Sequence, residues 1–456
     1  MTLRKPRARR SFAAMGAEIG ILRAEARRIV AAGLAASAAG EAVLRTLLTG
    51  PVAAPGPGGR RFIFAAGRFA REMALAARGH LGPCETLIVT DPVAARPVEG
   101  ARVLAAGWPD PDPAGLRAAE AAEAALARLG PEDAALVLLS AGAARMLPAP
   151  AGAATLADLS AVEGLMRGAG AGADEVLLVR QQLSRLEGGG LAALLAGSRV
   201  TALAVADAEG GADPRRLAGG MFAPPLGSRV TARALLELYG LWERLPVRVL
   251  DRLAAPVPAA REGARPRLRV VASNALAVSA MADCGVRAVA RPLQGMPEEI
   301  VHELFALAAG VGPGAGCTFG LESTPQGALL PGPETDAPVG GTGVAALTLR
   351  APLVAGAARP RHADLGLRFA MLARDRRLAG PWVLLLTASD GGGAAGLAPG
   401  VVVDSDTLEE LGAAGIDAEE ARSRGRAAEV LEWIGAVYRS GPTGTDVGDL
   451  AVFLRG

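Results

Sequence analysis

Short, unbroken apolar runs alternate with alanine-rich, helix-like stretches along the first half of the chain. RFIFAAG (61–67) leads into RFAREMALAARGHL, and TLIVTD (86–91) and ARVLAAG (101–107) follow. A long alanine-rich helix is expected from Ala114 to Leu129, and AALVLLS (134–140) and RVTALAVAD (199–207) are two further runs. Apolar runs of this length, bounded by glycine and separated by helices, read as parallel strands in βαβ units. The first half is therefore expected to be a Rossmann-like layered α/β domain with a parallel sheet, binding ligands where its strands end.

The second half has a different rhythm. Residues 246–269 are rich in Pro, Arg and Ala and read as a connection. LRVVASNALAVSAMADCGVRAVA (268–290) is one more strand–helix–strand unit, followed by a glycine- and proline-rich region at 310–343. VLLLTASDGGG (383–393), VVVDSDT (401–407) and a final LAVFL complete a smaller α/β domain with long loops. The expected division is 1–245 and 246–456.

Composition narrows the class. At 456 residues the chain exceeds one typical domain. Hydrophobic residues make up 51 % and charged ones 21 %, as in a folded globular protein, while only 3 % are aromatic, so the cores must be built from Ala, Leu and Val. A net charge of +2, with acids and bases interspersed, argues against nucleic acid as a partner. Cys84, Cys284 and Cys317 are odd in number and far apart, which excludes a disulfide framework and a CxxC metal site and fits a reducing cytoplasm. RRSF near the start resembles a twin-arginine signal, but Glu18, Arg23, Glu25, Arg27 and Arg28 interrupt any apolar segment after it. No uncharged apolar run reaches the roughly 18 residues a bilayer requires, so a cytoplasmic protein without a membrane partner is expected.

Each strand end runs into small or polar residues: AAGRFA, LLSAGAARMLPAP, AVADAEGGADP, LTASDGGG and SGPTGTD. Glycine lets backbone amides approach an anion, and a helix N-terminus adds partial positive charge, so several such loops meeting in a cleft would suit a phosphorylated ligand. Taken singly, glycine at a strand end is ordinary in α/β proteins. No GxxxxGK[ST] is present, and with Lys5 as the only lysine none could be. GAGAGAD (168–174) follows no predicted strand, which leaves a dinucleotide fingerprint poorly supported. His80, His302 and His362 are scattered and read as structural or solvent-exposed.

In order, these loops resemble the glycerate 2-kinase family with a C-terminal MOFRL domain. SAGAARMLPAPAGAATLADL (140–159) is similar to SGGGSALLPxPxxGxTLAD, and EVLLVRQQLSRLEGGGLA (175–192) to EINxVRKHLSxxKGGxLA. ALAVADAEGGADPRRLAGGMFAPP (202–225) tracks LILSDVxGDDPxxIASGPTxPD, CTFGLES (317–323) stands where the family has SGGET, and SGPTGTDVGDL (440–450) nearly repeats TGPTGTNVxDL. The resemblance implies phosphotransfer from ATP with Mg2+ to a small hydroxy acid such as D-glycerate, with a homodimer left open. It implies catalytic roles for Arg68, Asp207 and Asp390, the two aspartates also serving Mg2+. It places Ser140, Gly142, Arg180, Ser184, Gly210, Glu322, Gly340, Gly341, Gly391, Thr443 and Thr445 around substrate or phosphate.

The chain also departs from these motifs. Arg68 replaces the lysine of a GKA turn, Ala144 and Arg145 alter the glycine-rich loop, GGTGVA (340–345) puts Thr342 where GGRNQE has arginine, and Gly393 replaces a carboxylate. Phosphoryl transfer depends on positioning and on positive charge around the migrating group, so a non-catalytic homolog that keeps the fold is the competing reading. Hydroxypyruvate reduction ranks below both. Arg180 and Ser184, four residues apart, are expected on one helix face. Thr443 and Thr445 beside Pro442 could equally be turn-makers.

Overall fold

The computed structural model describes residues 12–206, 213–256, 266–323, 361–391 and 400–456, with side chains of 12–17, 322–323 and 361 left aside. Six strands form the first sheet: β1 (Arg61–Ala66), β2 (Glu85–Thr90), β3 (Arg102–Ala105), β4 (Ala134–Leu139), β5 (Arg199–Val205) and β6 (Leu268–Ala272). All pair in parallel, in the order β3-β2-β1-β4-β5-β6. This is the doubly wound arrangement, with its topological switch point between β1 and β4.

Continuous apolar runs arise here because both faces of the sheet are covered. On β1, Phe62, Phe64 and Ala66 join one core and Ile63 and Ala65 another on the opposite face. Fully burying each large side chain contributes about 1.5–3 kcal/mol, so an alternating polar face would be costly. The helix Pro113–Leu126 covers the first of these cores. Asp112 caps it by accepting the Gly115 N–H at 2.7 Å, and Pro113 occupies the first turn, where no backbone donor is needed.

The second sheet holds β7 (Arg287–Ala288), β8 (Leu293–Gly295), β9 (Ala315–Ser323), β10 (Trp382–Ala388), β11 (Gly400–Asp404), β12 (Val437–Tyr438) and β13 (Asp449–Arg455). Its order is β12-β11-β10-β13-β9-β7, with β8 also on β9; β7 and β8 run parallel to β9 and the other pairs are antiparallel. Antiparallel pairing aligns the end of β10, the start of β13 and the end of β9: Ala388 and Leu321 both sit opposite Asp449. Three loops therefore leave the sheet at one edge.

The two halves are interlocked, which the expected division at residue 245 does not convey. β6 lies beyond residue 245 yet completes the first sheet. The N-terminal helix Phe12–Ser37 crosses to the second, placing Ile29 and Val30 in a core that also contains Val383, Leu385, Val452, Ile63 and Leu138. Part of the expected connection is helical: Val247–Ala254 packs Val249 and Leu253 against Val179 of the helix Ala173–Leu183. No single helix among the described residues is long and apolar enough to cross a membrane. The bent pair Glu18–Ser37 and Ala39–Thr49 meets that test on length and composition alone.

Candidate active site

β1 and β4 end side by side at the switch point, and their loops are stitched together. Ser140 donates its N–H to Ala66 O (3.0 Å), Arg68 donates its N–H to Ala141 O (2.9 Å), and the Ser140 hydroxyl accepts the Phe69 N–H (3.1 Å). The approach needs a residue without a side chain. A Cβ on Gly67, whose φ is +118°, would lie 2.4 Å from Ser140 Oγ and 2.5 Å from Ser140 O. Ser140 thus fastens the start of the helix Ala70–Leu81, and the turn between them presents Arg68.

Arg68 is the hub. Its Nη1 donates to Asp446 Oδ2 at 2.8 Å and lies 3.5 Å from Asp390 Oδ2. Its guanidinium carbon sits 4.3 Å from the centroid of the Trp108 ring. Asp390 follows β10 and Asp446 precedes β13, so one cation of the first sheet meets two carboxylates from the aligned edge of the second. Gly142, at φ +83°, leaves room for the indole, because a Cβ there would fall 2.7 Å from Trp108 Cδ1.

The loop 440–448 packs into this junction. Thr443 donates its hydroxyl to Ser389 O, Ser389 Oγ accepts the Val447 N–H (2.8 Å), and Gly444 O accepts the Ala39 N–H (2.9 Å). Asn274 Nδ2 donates to Val447 O (3.1 Å) and Asp449 O (2.9 Å). Below it His362 Nε2 lies 3.2 Å from Asp449 Oδ2, both side chains buried. Gly391, at φ +77°, serves the same packing, since its Cβ would collide with Gly441 O at 2.0 Å. The Thr443 hydroxyl is spent on the turn. That of Thr445 is fully buried and has no hydrogen-bond partner among the described residues.

Arg180 lies in a second cluster. Its Nε donates to both Glu187 oxygens (3.0 and 2.9 Å), its Nη1 is 3.7 Å from Glu163, and Arg145 donates to Glu163 at 2.7 and 2.8 Å. Burial pushes the Glu187 carboxyl above the usual carboxylate range against the pull of Arg180. The expectation that Arg180 and Ser184 share a helix face is corrected. The helix stops at Leu183, Ser184 is extended (φ −108°, ψ 149°), and its Oγ accepts the N–H groups of Leu186 and Glu187. It shapes the turn that carries Glu187.

The structure therefore brings together Arg68, Asp390, Ser140, Gly142, Gly391, Thr443 and Thr445, while Arg180 and Ser184 belong to the adjoining cluster. Asp207, Gly210, Gly340, Gly341, Thr342 and Gly393 lie outside the described residues; Glu322 is described in its backbone alone, paired in register with Gln294. Trp108, Asp446 and Asn274 were not anticipated. Asp446 stood in the quoted terminal loop, and its acidity beside two threonines was the available signal. Trp108 and Asn274 carried no local signal.

A glycerate 2-kinase of Pyrococcus horikoshii is 25 % identical over 409 residues, covering 87 % of each chain. The family model described as a domain of unknown function, DUF4147, matches residues 25–254, half of the 456-residue chain. The chain belongs to this glycerate 2-kinase family. Another relative, from Agrobacterium vitis and provisionally named a hydroxypyruvate reductase, is 28 % identical over 406 residues and 88 % of each chain. The crystal structure of glycerate kinase from Thermotoga maritima superposes with a TM-score of 0.77 at 22 % identity, covering 98 % of this chain and 100 % of that one. This DUF4147 chain thus shares the fold from end to end, and the switch-point loops that carry Ser140 and Arg68 fall inside the matched family segment.

Proposed function

We propose that the protein is an ATP-dependent kinase acting on the 2-hydroxyl of D-glycerate or a related small hydroxy acid. The observation that carries this reading is the meeting of Arg68 with Asp390 and Asp446 across the junction of the two sheets. A cation at a switch point suits a phosphate or carboxylate, and carboxylates beside it suit a hydroxyl or a metal. In the transfer, the bond from the γ-phosphorus to its bridging oxygen breaks to release ADP. A bond forms from that phosphorus to the substrate oxygen, whose proton passes to a carboxylate, with Asp390 as the candidate. Arg68 would hold the transferring group in place.

Mg2+ fits the donor set. Asp390 stands beside the Arg68 guanidinium, and Mg2+ takes one or two carboxylates when phosphate oxygens complete its shell. Among the described residues no cluster of three or more metal-ligating side chains exists. Bound there, Mg2+ would neutralise charge on the phosphates.

One observation favours a second reading, a ligand-binding homolog without turnover. The cations Arg145 and Arg180 already face Glu163 and Glu187, which leaves less positive charge for a polyphosphate. ADP production by the purified protein with ATP, Mg2+ and D-glycerate, beside Arg68→Ala, separates the two. Turnover abolished by the substitution supports the kinase. No turnover from the unaltered protein with glycerate or other 2-hydroxy acids overturns it, and NADH oxidation by hydroxypyruvate would replace it with the reductase.

A further inference from the structure

We infer that Asp446 is a positioning and specificity-determining residue, which clasps Arg68 over the Trp108 ring and makes the site dependent on arginine at that position. The inference deepens the kinase reading and rests on it for the chemistry, though not for the clasp itself.

Three independent contacts fix one guanidinium. Its central carbon lies 4.3 Å from the Trp108 centroid, one edge nitrogen donates to Asp446 at 2.8 Å, and the same nitrogen is 3.5 Å from Asp390. A guanidinium offers a face to the ring and a fixed row of edge donors to carboxylates, whereas an ammonium is a compact point charge with no plane to be oriented. The surroundings are built for this. Gly142 admits the indole by lacking a Cβ, and Asn274 grips the backbone on either side of Gly448 through Val447 O and Asp449 O. Thr443 and Ser389 brace the loop from its other end. The side chains of Arg68 and Asp446 are 14 % and 26 % exposed, so the pair is partly shielded from water and remains reachable by a ligand.

The terminal-loop motif quoted above has asparagine where this chain has Asp446, and its GKA turn has lysine where this chain has Arg68. The two departures touch each other. With lysine at position 68, a carboxylate at 446 would quench the charge meant for the ligand. With arginine, the carboxylate occupies one edge, holds the plane, and leaves the remaining donors for an anion. Asp446 thus trades some attraction for orientation, and the reaction gains from orientation because a small misplacement of a positioning group costs much of the rate.

The test is a cycle of Asp446→Asn, Arg68→Lys and the double variant, with kcat, KM for the hydroxy acid and thermal stability measured for each. Asp446→Asn is expected to lower kcat about 10- to 100-fold with KM unchanged or lower, because a competing negative charge is removed. In the Arg68→Lys background the same substitution is expected to leave kcat unchanged or raise it. An equal loss in both backgrounds, or a raised KM with a lowered Tm, would reduce Asp446 to a loop-folding residue and overturn the inference. Trp108 fluorescence, isolated by difference from Trp108→Phe, reads the clasp without turnover. Asp446→Asn and Arg68→Lys should shift it in the same direction, and an unchanged emission overturns the clasp. Absence of phosphoryl transfer in the unaltered protein would refute the kinase reading alone, since the fluorescence comparison still decides the clasp.

Discussion

Thr445 offers the most direct measurement on the terminal loop. Its side chain is fully buried and its hydroxyl has no hydrogen-bond partner among the described residues, while the surrounding turn is held by other atoms. Gly444 O accepts the Ala39 N–H, and Thr445 exchanges its backbone N–H and C=O with the Thr443 hydroxyl at 3.4 and 3.3 Å. Thr445→Val keeps the branched shape and replaces only the hydroxyl with a methyl group. An unpaired buried hydroxyl costs about 1–3 kcal/mol of desolvation. Allowing for imperfect fit of the methyl, Val should stabilise the free protein by about 1 kcal/mol. That corresponds to a rise of about 1–3 °C in Tm for a chain of this size. Denaturant midpoints with and without ATP and D-glycerate provide the assay. A hydroxyl that serves a bound ligand predicts a more stable free variant whose stabilisation by ligand is smaller than that of the unaltered protein. A loss of about 1 kcal/mol or more in the free variant would refute the reasoning, because the hydroxyl must then already be satisfied.

Other expectations follow from single contacts. Gly67→Ala should abolish turnover and lower the melting temperature, since its Cβ would meet the Ser140 backbone oxygen at 2.5 Å and neither chain segment can yield; a variant of unaltered activity would disprove the close approach. Burial raises the Glu187 carboxyl in the folded state, so the native protein holds that proton more tightly than the unfolded chain. This contribution to stability is complete below the unfolded pKa of about 4.3 and is lost as pH rises through the folded value. Urea midpoints between pH 4 and 7 should accordingly fall less steeply for Glu187→Gln, and identical slopes would count against it. The Cys317 thiol is buried and pushed up to about 11, whereas Cys84 and Cys284 are partly exposed; Ellman's reagent should titrate two thiols in the native protein and the third only on unfolding.

Much of the fold was legible along the chain because burial on both faces leaves a local imprint. The β1 run RFIFAA and the β4 run AALVLL must be apolar without a break, and each announces a strand wherever its partners lie. The parallel first sheet followed from that pattern, and the glycine-bounded turns marked Arg68, Ser140 and Gly142 as strand-end residues. Sheet membership was not local. β6 and the N-terminal helix are ordinary apolar segments whose composition fits either half, and only pairing with β5 puts β6 in the first sheet, while packing against β10 and β13 puts the helix on the second.

The same limit separates the candidate residues from the candidate site. Sequence by itself determined which loops were small, polar and rigid, since backbone geometry and residue chemistry are local properties. Only the tertiary structure decided that Arg68 finds Asp446, 378 positions along the chain, and that Arg180 finds Glu163 and Glu187 instead. Ion pairs form between whatever side chains packing brings within reach, and packing is set by the burial of apolar faces far from the charges themselves.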